Sequence, residues 1–141
     1  MKKLLVPVDG SGAALRALKQ AIAIARAAGG SIQIVHAHEE PEIYGHIAVY
    51  VPRAKMEELQ RGRSEAILEA AEAEAKASGV PYTKDVLVGP LGEAIARHAE
   101  ASGCDAIVMG RHGKSTLGEV LVGSVAMKVL HATKLPVLLV R

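Results

Sequence analysis

Apolar residues fall along the chain in two rhythms, short continuous runs and stripes at helical spacing, and the two alternate. Leu4 to Val8 is an apolar run closed by Asp9-Gly10-Ser11-Gly12, which predicts a buried first strand and a turn. Proline has no N–H to give a central ladder, so Pro7 is placed near the strand end. Ser11 is the expected N-cap of a helix over Ala13 to Ala28, with Leu15, Leu18, Ile22 and Ala25 at helical spacing and Gly29-Gly30 at its end. Ile32 to His38 predicts a second strand. Glu39 to Pro52 has no period and reads as a long loop. Arg53 to Ser78 is rich in Ala, Glu, Lys, Arg and Leu, a helical signal closed by Gly79.

Tyr82 to Val88 predicts a third strand and Gly89 to Gly92 a turn. Glu93 to Ser102 reads as a short helix with Ile95, Ala96 and Ala99 inward and Gly103 as its cap. Ala106 to Met109 is an apolar strand, Gly110 to Val122 a loop, Gly123 to Ala132 a helix, and Pro136 to Val140 the last strand. Strands alternating with helices predict an α/β domain spanning residues 1–141, its parallel sheet covered by helices on both faces. Right-handed crossovers leave few topologies. Open sheets of this kind bind ligands at the carboxyl ends of their strands, where the strand order reverses.

Composition narrows the function. The chain has 141 residues, half of them apolar, with no Phe or Trp, so the core must be Val, Ile, Leu, Met and Ala. Alanine in that quantity favours helices lying close on the sheet. A net charge of +2 with interspersed signs is too small for a nucleic-acid footprint. Three Tyr are the only aromatic residues, which argues against a base-stacking platform. The single Cys104 fits a reducing compartment and excludes an internal disulfide framework. Lys2-Lys3 before the first apolar run mimics a signal sequence, but five apolar residues are too few for one. No stretch approaches a membrane span. The expectation is a cytoplasmic protein with no nucleic-acid or membrane partner.

The segment with most chemistry runs from Met109-Gly110-Arg111-His112-Gly113-Lys114-Ser115-Thr116-Leu117-Gly118 to Val122-Gly123-Ser124-Val125. It starts where a strand ends and finishes where a helix begins. Glycines at 110, 113 and 123 let the backbone adopt unusual angles or approach a ligand closely. Amides at Ser124, at the positive end of the helix dipole, would face an anion. Neither the Walker A box nor the dinucleotide G-x-G-x-x-G pattern is present. On the residues alone, a phosphate cradle and a loop merely shaped by glycine remain two open readings.

The spacing Gly110, two residues, Gly113, nine residues, Gly123-Ser124 resembles the nucleotide-binding signature of the universal stress protein family. So do the opening Leu-Val-Pro-Val-Asp-Gly-Ser, the run Cys104 to Gly110, and the closing run Leu135 to Val140. The resemblance covers the whole chain. It implies a five-stranded sheet in the order 3-2-1-4-5 and an ATP cleft between strands 1 and 4. It also implies that Asp9 holds the ribose or a phosphate-bound Mg²⁺, that the backbone of Ala37 reads the adenine edge, and that Pro7 and Val8 line the cleft. Met109 and Gly110 would flank the ribose and phosphates, with Gly113, Gly123, Ser124 and Val125 around the phosphates. Position 37, usually a larger apolar residue in the family, is Ala here. A homodimer through the strand Pro136 to Val140 is also implied, and an edge strand with no helix after it invites such pairing.

Other residues have competing readings. Asp9 is a ligand carboxylate or a turn-forming Asx residue. His112 is a phosphate donor or a solvated loop residue. Arg111 and Lys114 would neutralise triphosphate charge or simply be exposed. Ser115 and Thr116 are phosphoacceptors or plain loop residues. His36 and His38 share a strand face, but no third ligand stands at metal-binding spacing, so no metal site is predicted. Glu65, Glu69, Glu72 and Glu74 read as a solvated helix face, and Cys104 as a small buried filler. The functional expectation is an ATP-binding regulatory module. The alternatives are a weak ATPase or autophosphorylating enzyme, and a nucleotide-independent interaction protein. Hydrolysis needs an in-line base, and Asp9 is the one acidic candidate, so slow turnover at most is expected and no catalytic residue is assigned. Asp9-Gly10-Ser11-Gly12 also fails to match the Ser-Gly-Gly-x-Asp-Ser loop of ATP pyrophosphatases.

Overall fold

The computed structural model describes residues 1–40, 52–112 and 121–141. The loop expected from Glu39 to Pro52 and the loop from Gly110 to Val122 fall largely outside them. The elements are β1 (Lys3–Pro7), α1 (Gly12–Ala28), β2 (Ser31–His38), α2 (Arg53–Ser78), β3 (Tyr82–Val88), α3 (Leu91–Ala101), β4 (Ala106–Gly110), α4 (Ser124–Ala132) and β5 (Val137–Val140). The strands form one parallel sheet in the order β3-β2-β1-β4-β5, as expected.

Each central strand is buried on both faces, which is why its apolar run is continuous rather than alternating. Leu4 and Val6 of β1, with Ile32 and Ile34 of β2 and Val108 of β4, pack with Leu18 and Ile22 of α1 and Leu68 of α2. Leu5, Val35, Ile107 and Met109 point the other way, toward Ile95 and Ala99 of α3 and Val129 of α4. The helices therefore cover the sheet two per face. On α1 the buried stripe is mostly alanine, at 14, 17, 21 and 25. These methyl-sized side chains bring the helix axis close to the sheet. Leu15, expected in that stripe, is 39% exposed and lies off it.

Local signals explain most boundaries. Ser11 caps α1 by accepting from the Ala14 N–H at 3.1 Å. Gly29 ends α1 at φ 66°, a conformation that favours glycine. The third helix starts at Leu91, two residues earlier than expected, so Gly92 belongs to a helix and not to a turn. The reason is packing: a Cβ on Gly92 would stand 2.4 Å from the Lys128 Cβ, so glycine lets α3 and α4 cross closely. Glu72 is not a solvated face residue. Its carboxylate accepts from the Lys84 ammonium at 2.9 Å and the Tyr82 hydroxyl at 2.8 Å, which lower its pKa and tie α2 to β3. Cys104 is buried and donates its thiol to Gln33 Oε1 at 3.3 Å, and burial pushes the thiol pKa up, as suits a structural cysteine.

The start of β4 is fastened to the start of β1 by one carboxylate. Asp105 Oδ2 accepts from the Lys3 N–H at 2.9 Å and the Lys2 N–H at 2.8 Å, while the Asp105 N–H donates to the Lys3 carbonyl at 2.7 Å. The two backbone donors hold the Asp105 pKa below its usual value. A carboxylate depressed in the folded state stabilises the fold above its unfolded pKa, and that stability is lost as pH falls through the folded-state pKa. Asp105→Asn is therefore expected to lower Tm at pH 7. The gap to the parent protein should close as pH drops below the carboxylate range in a thermal-melt series. A gap that is constant with pH would disprove the charge-linked contribution.

Candidate functional site

The crevice at the carboxyl edge of the sheet follows from where strands part. In β1 the even-numbered residues bond toward β2: the Val8 N–H donates to the Val35 carbonyl at 2.8 Å and the Lys2 carbonyl accepts from Ser31. The odd-numbered residues therefore face β4. Pro7, last in β1, lacks an N–H on that side. The β1–β4 pairing ends at Leu5↔Ile107, whereas β1 and β2 stay paired through Pro7↔Val35. His36 holds the point of departure by donating its Nδ1–H to the Val8 carbonyl at 2.8 Å.

Beyond that point lies a cavity of about 240 Å³. It is walled by Pro7, Val8, Asp9 and Ser11, by Ala14 of α1, Ala37 of β2, Leu91 and Ile95 of α3, Met109, Gly110 and His112, and Gly123 to Ala126. Topology gives the cavity two ends. Toward β2 and α3 it is apolar, with Ala37, Leu91 and Ile95. Toward β4 and α4 it is polar, with His112 and the first turn of α4. Gly123 precedes that turn and offers no side-chain cap, and the turn has no acidic residue. The helix start, without a side-chain cap from its N-cap residue, presents its first amides and the positive end of its dipole. The N-terminus of α1, by contrast, is capped by Ser11.

Ten of the twelve residues singled out from the sequence meet in this wall: Pro7, Val8, Asp9, Ala37, Met109, Gly110, His112, Gly123, Ser124 and Val125. Gly113 lies outside the described residues, as do Lys114, Ser115 and Thr116. Arg111 does not line the cavity. Its guanidinium reaches a residue that does, with Nη2 donating to His112 Nε2 at 3.3 Å. Asp9 fills its turn role and its wall position together: Oδ1 accepts from the Ser11 N–H at 2.9 Å. His36 is occupied with Val8, and His38 donates Nδ1–H to the Glu39 carbonyl at 3.0 Å. Among the described residues no cluster of three or more His, Cys, Asp and Glu is placed to hold a metal ion.

Leu91 and Ile95 were missed by the sequence reading. The available signal was topological: the helix after β3 must begin at the same carboxyl edge as the glycine loop. The glycine argument also changes at one position. A Cβ on Gly110 would stand 2.9 Å from the Ala13 Cβ and 3.0 Å from the Ala13 carbonyl carbon, so packing of α1 on β4 already demands glycine there. Gly123, at φ −72°, has a backbone conformation that any residue adopts, so its φ sets no demand for glycine.

These two glycines should respond differently to substitution. Gly110→Ala overpacks α1 and is expected to cost about 1–3 kcal/mol by urea denaturation with an unchanged m-value. Gly123→Ala should shift stability by less than about 0.5 kcal/mol. Equal losses in the two variants would refute the packing assignment.

Comparison with known proteins agrees with this architecture along its length. The universal stress protein family pattern matches residues 1–141. A universal stress protein of Thermus aquaticus is 37% identical over 99% of this chain and 98% of its own length. Universal stress protein MJ0577 of Methanocaldococcus jannaschii is 31% identical over 99% of this chain and 94% of its own. The solved structure of MJ0577 superposes with a TM-score of 0.85. A universal stress protein solved in complex with cAMP is 30% identical, covers 99% of this chain and 96% of its own, and superposes with a TM-score of 0.70. With its full length matched, its strand order shared and relatives above 30% identity, this chain belongs to the universal stress protein family.

Proposed function

We propose that the protein binds ATP or another adenine nucleotide in the crevice between β1 and β4 and works as a nucleotide-responsive regulatory module. The observation that carries this reading is the start of α4, without a side-chain cap from its N-cap residue, opening into a cavity whose other end is apolar. The base lies against Ala37, Leu91 and Ile95, its edge read by the Ala37 backbone. The phosphates lie at Gly123, Ser124 and Val125, where backbone amides and the helix dipole favour an anion. Gly113, outside the described residues, is assigned to the same phosphate site from the family resemblance. Asp9 is near the ribose or a phosphate-bound Mg²⁺, the ion that would screen phosphate charge there. The cAMP complex of a relative supports the choice of an adenine nucleotide. With Asp9, the one acidic residue among the described residues of the wall, taken up by the ribose or Mg²⁺, ATP hydrolysis is slow at most.

Regulation needs a partner surface. The exposed edge of β5, with Leu138 41% exposed, is apolar enough to pair with a second copy. We place a two-fold homodimer there, in the cytoplasm. Among the described residues no helix is long and apolar enough to cross a membrane.

Calorimetry with ATP, ADP and AMP, with and without Mg²⁺, tests the nucleotide reading. Gly113→Val and Gly123→Val should each reduce affinity at least about a hundredfold while remaining folded, because a branched side chain then stands where phosphate belongs. Unchanged affinity in both folded variants would overturn it. Sedimentation should report a dimer that Leu138→Glu dissociates. A monomeric parent protein would remove the dimer.

A further inference from the structure

Arg111 is held in place on both sides of its backbone. Its N–H donates to the Val140 carbonyl at 2.7 Å, and its carbonyl accepts from the Gly123 N–H at 2.8 Å. From this fixed point its guanidinium reaches His112, Nη2 to Nε2, at 3.3 Å. A guanidinium has donors but no lone pair, so this contact is a hydrogen bond only when His112 Nε2 supplies the lone pair. The neutral imidazole then carries its proton on Nδ1. His112 is in the cavity wall, and Arg111 is not among the residues that line it. Arg111 Nε is buried and meets no acceptor among the described residues.

We propose that Arg111 is a positioning residue for the nucleotide site: it fixes His112 as the Nδ1–H tautomer and polarises that N–H toward a phosphate oxygen of the ligand. The inference rests on the nucleotide reading above and deepens it. A cation hydrogen-bonded to one side of an imidazole makes the opposite N–H a stronger donor. The gain is realised only against an anionic acceptor. Adenosine, which lacks phosphate, does not benefit. The pair therefore makes the polar end of the cavity select for nucleotides over nucleosides.

Two measurements decide it. Long-range proton–nitrogen NMR of the imidazoles at pH 8 should report His112 protonated on Nδ1 in the parent protein and shifted toward Nε2–H in Arg111→Met. The other measurement is a double-mutant cycle of Arg111→Met and His112→Ala, read by calorimetry with AMP and with adenosine. Arg111→Met should weaken AMP about tenfold and adenosine less than about twofold. In the His112→Ala background the same change should move AMP less than about twofold. His112→Asn, whose amide nitrogen stands near the place of Nδ1, should retain most of the AMP affinity, and His112→Gln should not.

An Nε2–H tautomer in the parent protein would overturn the pairing. Equal losses for AMP and adenosine, or an undiminished Arg111 effect without His112, would overturn the phosphate-directed role. If the parent protein bound neither compound nor ATP, the nucleotide reading itself would fail and take the ligand half of this inference with it. The tautomer measurement would still judge the pairing.

Discussion

The site exists because a central strand loses its bond to one neighbour while keeping its bond to the other. Pro7 stands at the position in β1 whose N–H would have faced β4, and the β1–β4 ladder stops two residues earlier, at Leu5↔Ile107. On the opposite edge nothing loosens: Val8 is held by the Val35 carbonyl and by the His36 imidazole. One side of β1 thus stays closed as the other opens. A proline that would weaken the middle of a sheet defines here where the crevice begins.

What fills the walls of that crevice follows from chain direction. Every crossover in a parallel sheet starts at the carboxyl edge, so each helix brings its N-terminus there. The four helices do not end alike. Ser11 caps the first turn of α1, whereas Gly123 offers that of α4 no side-chain cap. The starts of α3 and α4, neither with a side-chain cap from its N-cap residue, both reach the cavity, but the first turn of α3 carries the acidic Glu93 and that of α4 carries no acidic residue. Leu91 and Ile95, at the start of α3, then make the neighbouring wall apolar. The gradient from apolar to amide-rich across a few residues is what a ligand with a flat base and a charged tail requires.

Most of this was legible without coordinates, for identifiable reasons. Strands buried on both faces write continuous apolar runs, so β1 and β4 stood out, and Leu15, Leu18, Ile22 and Ala25 at helical spacing marked α1. The strand order came from the family resemblance and not from periodicity, since several orders satisfy the same alternation. Residues whose roles depend on a distant neighbour were less legible. Leu15 fits a helical stripe as well as Ala14 does, and only the sheet's position separates them. Glu72 looks like its neighbours on α2 until Tyr82 and Lys84 arrive from β3. Gly110 fits a phosphate-binding pattern, yet Ala13, nearly a hundred positions earlier, already demands a glycine there.

The same long-range dependence bears on how the site could speak to the rest of the molecule. Gly123 bonds to Arg111, and Arg111 bonds to Val140 in the edge strand β5. Arg141, the next residue, has its carbonyl held by Arg16 Nε of α1 at 2.6 Å. The helix start that faces the cavity and the strand at the sheet's margin are therefore joined through one backbone residue. To whatever extent a ligand in the cavity and a partner at β5 are coupled through this connection, each changes the other's affinity by the same factor. The coupling needs no long wire. It needs the single connection that the chain makes when β4, the glycine segment and β5 meet at one corner of the sheet.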